Sequence, residues 1–78
     1  MADAKLALTN IVKAIVDKPD EVTVTEENDG DKLRLILNVA PDDMGKIIGK
    51  QGKIAQSIRK VMRALETDGR KISVDIED

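Results

Sequence analysis

The chain contains no cysteine and no histidine. Without cysteine it can form neither a disulfide nor a thiolate metal site. The two absences also remove the most common general base and the strongest common nucleophile of enzymes. Catalysis would have to rest on carboxylates, lysine, serine or threonine. We therefore expect a binding protein rather than an enzyme, with no cofactor and no metal.

Phenylalanine, tyrosine and tryptophan are absent as well. Nucleic-acid-binding folds that stack bases on aromatic side chains, such as the RRM and the OB-fold, are therefore disfavoured. Folds that bind the nucleic-acid backbone remain open.

Long apolar runs are also missing, since a run such as Leu35-Ile36-Leu37 is far too short to cross a membrane. Asp3 and Lys5 interrupt the apolar residues at the N-terminus, so no signal peptide is predicted. The 78 residues suffice for one domain, over residues 1–78. These features predict a cytoplasmic protein with no membrane association.

The net charge of −2 conceals a strong asymmetry. Residues 44–65 carry six basic side chains and no acidic one, whereas the remaining residues sum to −8. A basic run is usually just a solvated helix face. Here the run also contains a glycine loop, which favours an anionic partner.

The apolar spacing predicts helices over 4–17, 41–48 and 53–66 and strands over 21–27, 32–39 and 70–77. Asp3 is the expected N-cap of the first helix, and Pro19 is expected to end it. A hairpin turn is predicted at 28–31 and a helix break at 67–69. The order α-β-β-α-α-β predicts an α+β domain of two layers, with three helices covering one sheet face. Ile36 is the one apolar residue predicted on the opposite, solvent-facing side.

The segment Gly49-Lys50-Gln51-Gly52 joins the second and third predicted helices. Glycine permits the left-handed backbone that ends a helix, and it removes side chains that would keep a ligand away. The N-terminus of the following helix presents unpaired N–H groups and favours a phosphate. Lys50 and Lys53 add cationic donors. A plain interhelical turn would need the same glycines, but the adjacent apolar pair and basic residues favour a phosphate site.

Other phosphate and nucleic-acid motifs fit poorly. A Walker loop requires a wider glycine spacing and a hydroxyl residue where Gln51 stands, and a dinucleotide fingerprint requires G-x-G. A DNA-reading helix-turn-helix normally belongs to an all-helical bundle, whereas three strands are predicted here.

The run Ile47-Ile48-Gly49-Lys50-Gln51-Gly52-Lys53-Ile54 resembles the signature of KH domains, and the order of elements resembles their type II form. Residues 39–52 are further similar to the KhpA (YlqC) family of small bacterial proteins with a single KH domain. The resemblance covers essentially the whole chain. It implies a mixed three-stranded sheet with the 32–39 strand in the centre, antiparallel to 21–27 and parallel to 70–77.

The resemblance also implies a groove for about four nucleotides of single-stranded RNA beside the glycine loop. Gly49, Lys50, Gln51 and Gly52 match the phosphate clamp, and Lys46 and Lys53 match flanking basic positions. Ile48 and Ile54 match aliphatic positions of the groove wall or of the core beneath it, with the core favoured. The third helix, through Ala55 and Met62, is a candidate homodimer surface.

The same resemblance implies an RNA chaperone or post-transcriptional regulator. Its partners would be single-stranded RNA, a second copy of the chain and a larger protein of the KhpB (Jag/EloR) type. It would act in cell elongation and cell-wall homeostasis. The alternative is a KH scaffold that docks or dimerises proteins with little direct RNA binding.

Overall fold

The computed structural model describes residues 3–65 and 70–77. Its helices are α1 (Ala4–Ile15), α2 (Met44–Ile48) and α3 (Lys53–Arg63), and its strands are β1 (Thr23–Asp29), β2 (Lys32–Asn38) and β3 (Lys71–Ile76). Short 3-10 turns cover Pro19–Glu21, Pro41–Asp43 and Lys50–Gly52. The predicted order α-β-β-α-α-β and the α+β class are confirmed. The predicted helix break at 67–69 lies outside the described residues.

The strands of the sheet have the order β1-β2-β3. β2 lies in the centre, antiparallel to β1 and parallel to β3. This is the mixed sheet of a type II KH domain. The register runs from Thr23 opposite Asn38 to Asp29 opposite Lys32, so the hairpin loop is only Gly30-Asp31. Gly30 has a φ of 60°, which suits the first central position of a two-residue hairpin. The first strand therefore extends to Asp29, two residues beyond its predicted end.

The core lies between the sheet and the helices. Alternation along β2 places Leu35 and Leu37 on the helix side, where both are fully buried. Leu8 and Val12 of α1 lie one turn apart and meet them from the other layer. The other buried members of this cluster are Ala4, Val16, Val22, Val24, Ile47, Ile58, Met62 and Val74.

The opposite face of the sheet is less open than predicted at its centre. Ile36 is only 8% exposed, because Thr25 and Asp75 flank it on the neighbouring strands. Arg34 pairs with Glu27 at 3.1 Å and also with Asp75, so one side chain bridges the three strands. The hydrogen bond and the charge of Asp75 raise the pKa of Arg34.

The first helix ends earlier than predicted, at Ile15 rather than at residue 17, and Val16 is extended. Pro19 does not end the helix but starts the following 3-10 turn. The cause lies elsewhere in the chain. Asp17 and Lys18 donate their backbone N–H groups to the two carboxylate oxygens of Asp43, at 3.2 and 3.0 Å, which draws the linker away from the helical path.

Asp43 is 1% exposed and is the only buried charged residue in the part of the chain that the structure describes. The sequence predicts for it, as for Asp42, a place in a helical first turn where it would offset the helix dipole. Asp42 fits a solvent-exposed role and pairs with Lys18 at 3.1 Å, raising the pKa of that lysine. Asp43 instead joins the α1 linker to the start of α2.

Replacing Asp43 with Asn should lower the free energy of unfolding by about 1–3 kcal/mol, because an amide NH₂ would face one of the two donated N–H groups. Asp42→Asn is the matched control and should cost less than about 1 kcal/mol, since it removes only an exposed ion pair. Urea unfolding followed by far-ultraviolet circular dichroism measures both. Equal losses in the two variants would contradict the assigned role of Asp43.

Candidate nucleic-acid interface

The glycine loop begins where α2 ends. Gly49 donates its N–H to the carbonyl of Gly45 at 2.9 Å, the last bond of the helix, and then adopts φ 73° and ψ −179°. A Cβ on Gly49 would lie 2.2 Å from Cγ1 of Ile54. The position therefore requires glycine for two reasons: its dihedral angles are unfavourable for other residues, and the packed Ile54 leaves no room for a Cβ.

The next three residues reverse the chain. Gln51 (φ 58°, ψ 28°) and Gly52 (φ 74°, ψ 12°) are left-handed, and Lys53 returns to right-handed angles as α3 starts. Gln51 is the only non-glycine residue with positive φ within residues 3–65 and 70–77. A left-handed glutamine costs of order 1 kcal/mol. The loop is thus a sharp turn between α2 and α3 rather than a continuous helix.

The hydrogen bonds of the turn determine which amides stay accessible. Gly52 donates to the carbonyl of Gly49 at 3.3 Å, and Lys53 donates to the carbonyl of Lys50. The amides of Gly52 and Lys53, at the start of α3, were predicted to be free for a ligand but are used within the turn. The amides of Lys50 and Gln51 have no such acceptor among the residues described. Successive N–H groups in a turn form a concave anion-binding surface.

The basic side chains around the loop differ in their pairing. Lys50 and Lys53 are exposed and form no ion pair with any residue in 3–65 or 70–77. Lys46, in the last turn of α2, pairs with Asp17 of the α1 linker. Two of the three predicted lysines are thus immediately accessible to an anion.

The two aliphatic positions are at the surface and not in the core. Ile48 is 40% exposed and Ile54 is 38% exposed, so the favoured core role is wrong for both. Spacing alone could not show this, because Ile47 is the residue of α2 that turns inward and Ala55, Ile58 and Met62 are those of α3. The structure therefore places two apolar side chains beside the loop, next to its lysines.

A shallow groove follows α3 away from the loop, between this helix and β3. Its lining residues are Arg59, Arg63, Ile72, Ser73 and Val74. Arg59 donates from Nε to the carbonyl of Val74 at 3.3 Å, which fixes the guanidinium beside the strand. The two arginines were part of the predicted basic segment but not of the predicted site. Their spacing of four residues on one helix was the available signal.

The eight predicted residues lie in the segment 46–54 around the α2–α3 turn, and all of them are at least partly exposed. No group of three or more possible metal ligands occurs among the residues that the structure describes. None of the helices within 3–65 is long and apolar enough to cross a membrane. The turn joins accessible amides, lysine ammonium groups and apolar side chains, a combination suited to a chain that carries both phosphates and bases.

Comparisons with known proteins identify the family of the chain. The family model described as the KH domain of KhpA/KhpB matches residues 5–77. A protein named RNA-binding protein KhpA from Halalkalibacterium halodurans is 47% identical over 75 residues, which are 95% of this chain and 99% of the relative. Proteins with the same name from Clostridium acetobutylicum (47% over 73 residues, 92% and 97%) and Streptomyces coelicolor (43% over 72 residues, 92% and 89%) are also similar.

No solved structure matched the chain. The family model nonetheless covers nearly all of the sequence, and the relatives align with it almost from end to end. The chain therefore belongs to the KhpA/KhpB family of KH domains.

Proposed function

We propose that this protein binds single-stranded RNA and holds its sugar-phosphate backbone at the loop Gly49–Gly52. The observation that carries the proposal is the turn itself, in which the amides of Lys50 and Gln51 remain free inside a segment of charge +6. The names of the relatives add support, since they are RNA-binding proteins. The proposed activity is binding and not catalysis.

Each residue of the turn has a distinct proposed role. Gly49 and Gly52 let the phosphates approach the backbone closely, and the amides of Lys50 and Gln51 donate to them. The ammonium groups of Lys50 and Lys53 neutralise the phosphate charge, with Lys46 at the margin. Ile48 and Ile54 offer apolar walls to the bases, because the chain has no aromatic side chain for stacking.

The groove between α3 and β3 is the proposed path for the next nucleotides. Arg59 and Arg63 lie along it and extend the positive potential away from the loop. Contacts with two or three phosphates predict a salt slope of about −1.5 to −2 for a single strand. Aliphatic walls and backbone groups discriminate little between bases, so binding should tolerate many sequences.

Binding that tolerates many RNA sequences fits an RNA chaperone or post-transcriptional regulator in the cytoplasm. We also propose a KhpB-like protein as a partner, in cell elongation and cell-wall homeostasis. The support for this partner is that one family model describes the KH domains of both KhpA and KhpB.

A second candidate function is protein association through α3, with homodimerisation as its simplest form. The surface predicted from Ala55 and Met62 is wrong, because these residues are 4% and 0% exposed. Ile54 and Val61 instead lie two turns apart on a solvent-facing side of the helix, and Val61 is 49% exposed. A dimer would also strengthen RNA binding by presenting two loops to one strand.

The double variant Lys50→Asp/Gln51→Asp should abolish RNA binding and leave the fold intact, because it places two carboxylates where phosphates are proposed to lie. Fluorescence anisotropy with a labelled single-stranded RNA measures binding, and circular dichroism checks the fold. The matched control is Asn10→Asp/Lys13→Asp on the exposed face of α1, which changes the net charge equally. Unchanged affinity in the loop variant would refute the proposed site.

Gly49→Ala should destabilise the protein by about 1–3 kcal/mol, because its dihedral angles are unfavourable for alanine and its Cβ would meet Ile54. It should also weaken RNA binding at temperatures where the variant is folded. Gly45→Ala is the control, since nothing lies within 4 Å of the added Cβ. In the helix it should stabilise by about 0.5–1 kcal/mol. Urea unfolding distinguishes the two, and equal effects would contradict the geometry of the loop.

Val61→Glu should convert a dimer to a monomer, because a charge would replace an exposed apolar contact on α3. Sedimentation equilibrium measures the mass of the wild type and the variant. Leu6→Glu on α1 is the control, since Leu6 is 56% exposed but lies on another helix. A wild type that is monomeric at every concentration, or a dimer disrupted equally by both changes, would contradict association through α3.

A further inference from the structure

Lys46 is the one lysine of the proposed site with an ion-pair partner among residues 3–65 and 70–77. Its ammonium group contacts Oδ2 of Asp17, whereas Lys50 and Lys53 have no such partner there. A phosphate that reaches Lys46 must therefore displace the Asp17 carboxylate or share the lysine with it. Asp17 then remains beside the RNA as a like charge.

Asp17 cannot simply move aside with a mobile linker. Its backbone N–H donates to Oδ1 of Asp43 at 3.2 Å, and the next amide, that of Lys18, donates to Oδ2 at 3.0 Å. Asp43 is 1% exposed, so the anchor is part of the interior. The backbone that carries the Asp17 carboxylate is thus fixed beside α2.

The ion pair itself is exposed. The side chain of Asp17 is 74% exposed and that of Lys46 is 45% exposed. Pairs of this kind are weak and reversible. The contact can therefore compete with a phosphate for Lys46 without preventing its approach.

We propose that Asp17 is a built-in competitor of RNA, which limits the affinity of the site by occupying Lys46. This inference rests on the proposed RNA-binding function of the loop. In the free protein Asp17 neutralises Lys46. When Lys46 instead pairs with a phosphate, the counterion released from the RNA is offset by the negative charge left on Asp17. Removal of the Asp17 charge makes Lys46 a full phosphate contact.

The test is Asp17→Asn, which keeps the size of the side chain and the backbone N–H that binds Asp43. A labelled single-stranded oligouridine should bind about two- to fivefold more tightly at low salt, the range expected from an exposed ion pair. The salt slope should become steeper by about 0.7, the increment for one more phosphate on a single strand. Fluorescence anisotropy over a salt series measures both quantities.

Asp42→Asn is the matched control, because it removes the same charge and also frees a lysine, Lys18, that is outside the proposed site. It should change the affinity less and leave the salt slope unaltered. Lys46→Gln provides the second control. In that background Asp17→Asn should no longer raise the affinity, since the competed cation is absent.

The inference is overturned if Asp17→Asn and Asp42→Asn act alike, or if the gain from Asp17→Asn persists in the Lys46→Gln background. Both results are distinct from failure of the proposed function. If the proposed function itself failed, the Lys50→Asp/Gln51→Asp variant would bind the same oligouridine as well as the wild type does. A gain confined to Asp17→Asn and dependent on Lys46 supports the inference.

Discussion

The carboxylate of Asp43 is the contact from which the geometry of the surface follows. Helix α2 has only five residues, far too few to be stable by itself. The N-terminal end of α2 is held by Asp43, which accepts hydrogen bonds from two amides of the α1 linker, and its last turn is held by Ile47 in the core. The free end is the glycine loop. A buried acid at the N-terminus of α2 thus helps to fix the position of the loop amides at its C-terminus.

The loop shows a second constraint, the competition between close packing and an open backbone. Ile54, one apolar wall of the proposed site, packs directly on Gly49 and can do so only because that residue has no Cβ. Gln51 keeps a left-handed conformation that glycine would adopt more easily. Strain of this kind persists where the surrounding structure imposes it, and it is common at ligand sites. Here α2 and α3 impose it from both sides.

The sequence predicted the features that depend on local pattern, namely the order of elements, the hairpin glycine and the loop. It failed where tertiary neighbours decide. Helix α3 has apolar residues on more than one side, and only the sheet beneath it shows that Ala55 is buried and Ile54 is not. Asp43 resembled a residue of an exposed first turn, because its partners lie 25 and 26 residues away along the chain. No periodicity could reveal that pairing.

The net charge of −2 is compatible with the proposed RNA-binding surface, because salt limits the range over which a charge acts. The acids at the tip of the β-hairpin, Asp29 and Asp31, are separated from the α2 end of the sheet by the length of β2, seven residues or about 20 Å. The screening length at physiological ionic strength is about 8 Å. The charges of these two acids are therefore largely screened at the end of the sheet from which α2 follows. Asp17 is different, because it touches Lys46 directly and no screening separates the two. The acid proposed to compete with RNA is thus identified by its contact with Lys46 and not by the total charge of the chain.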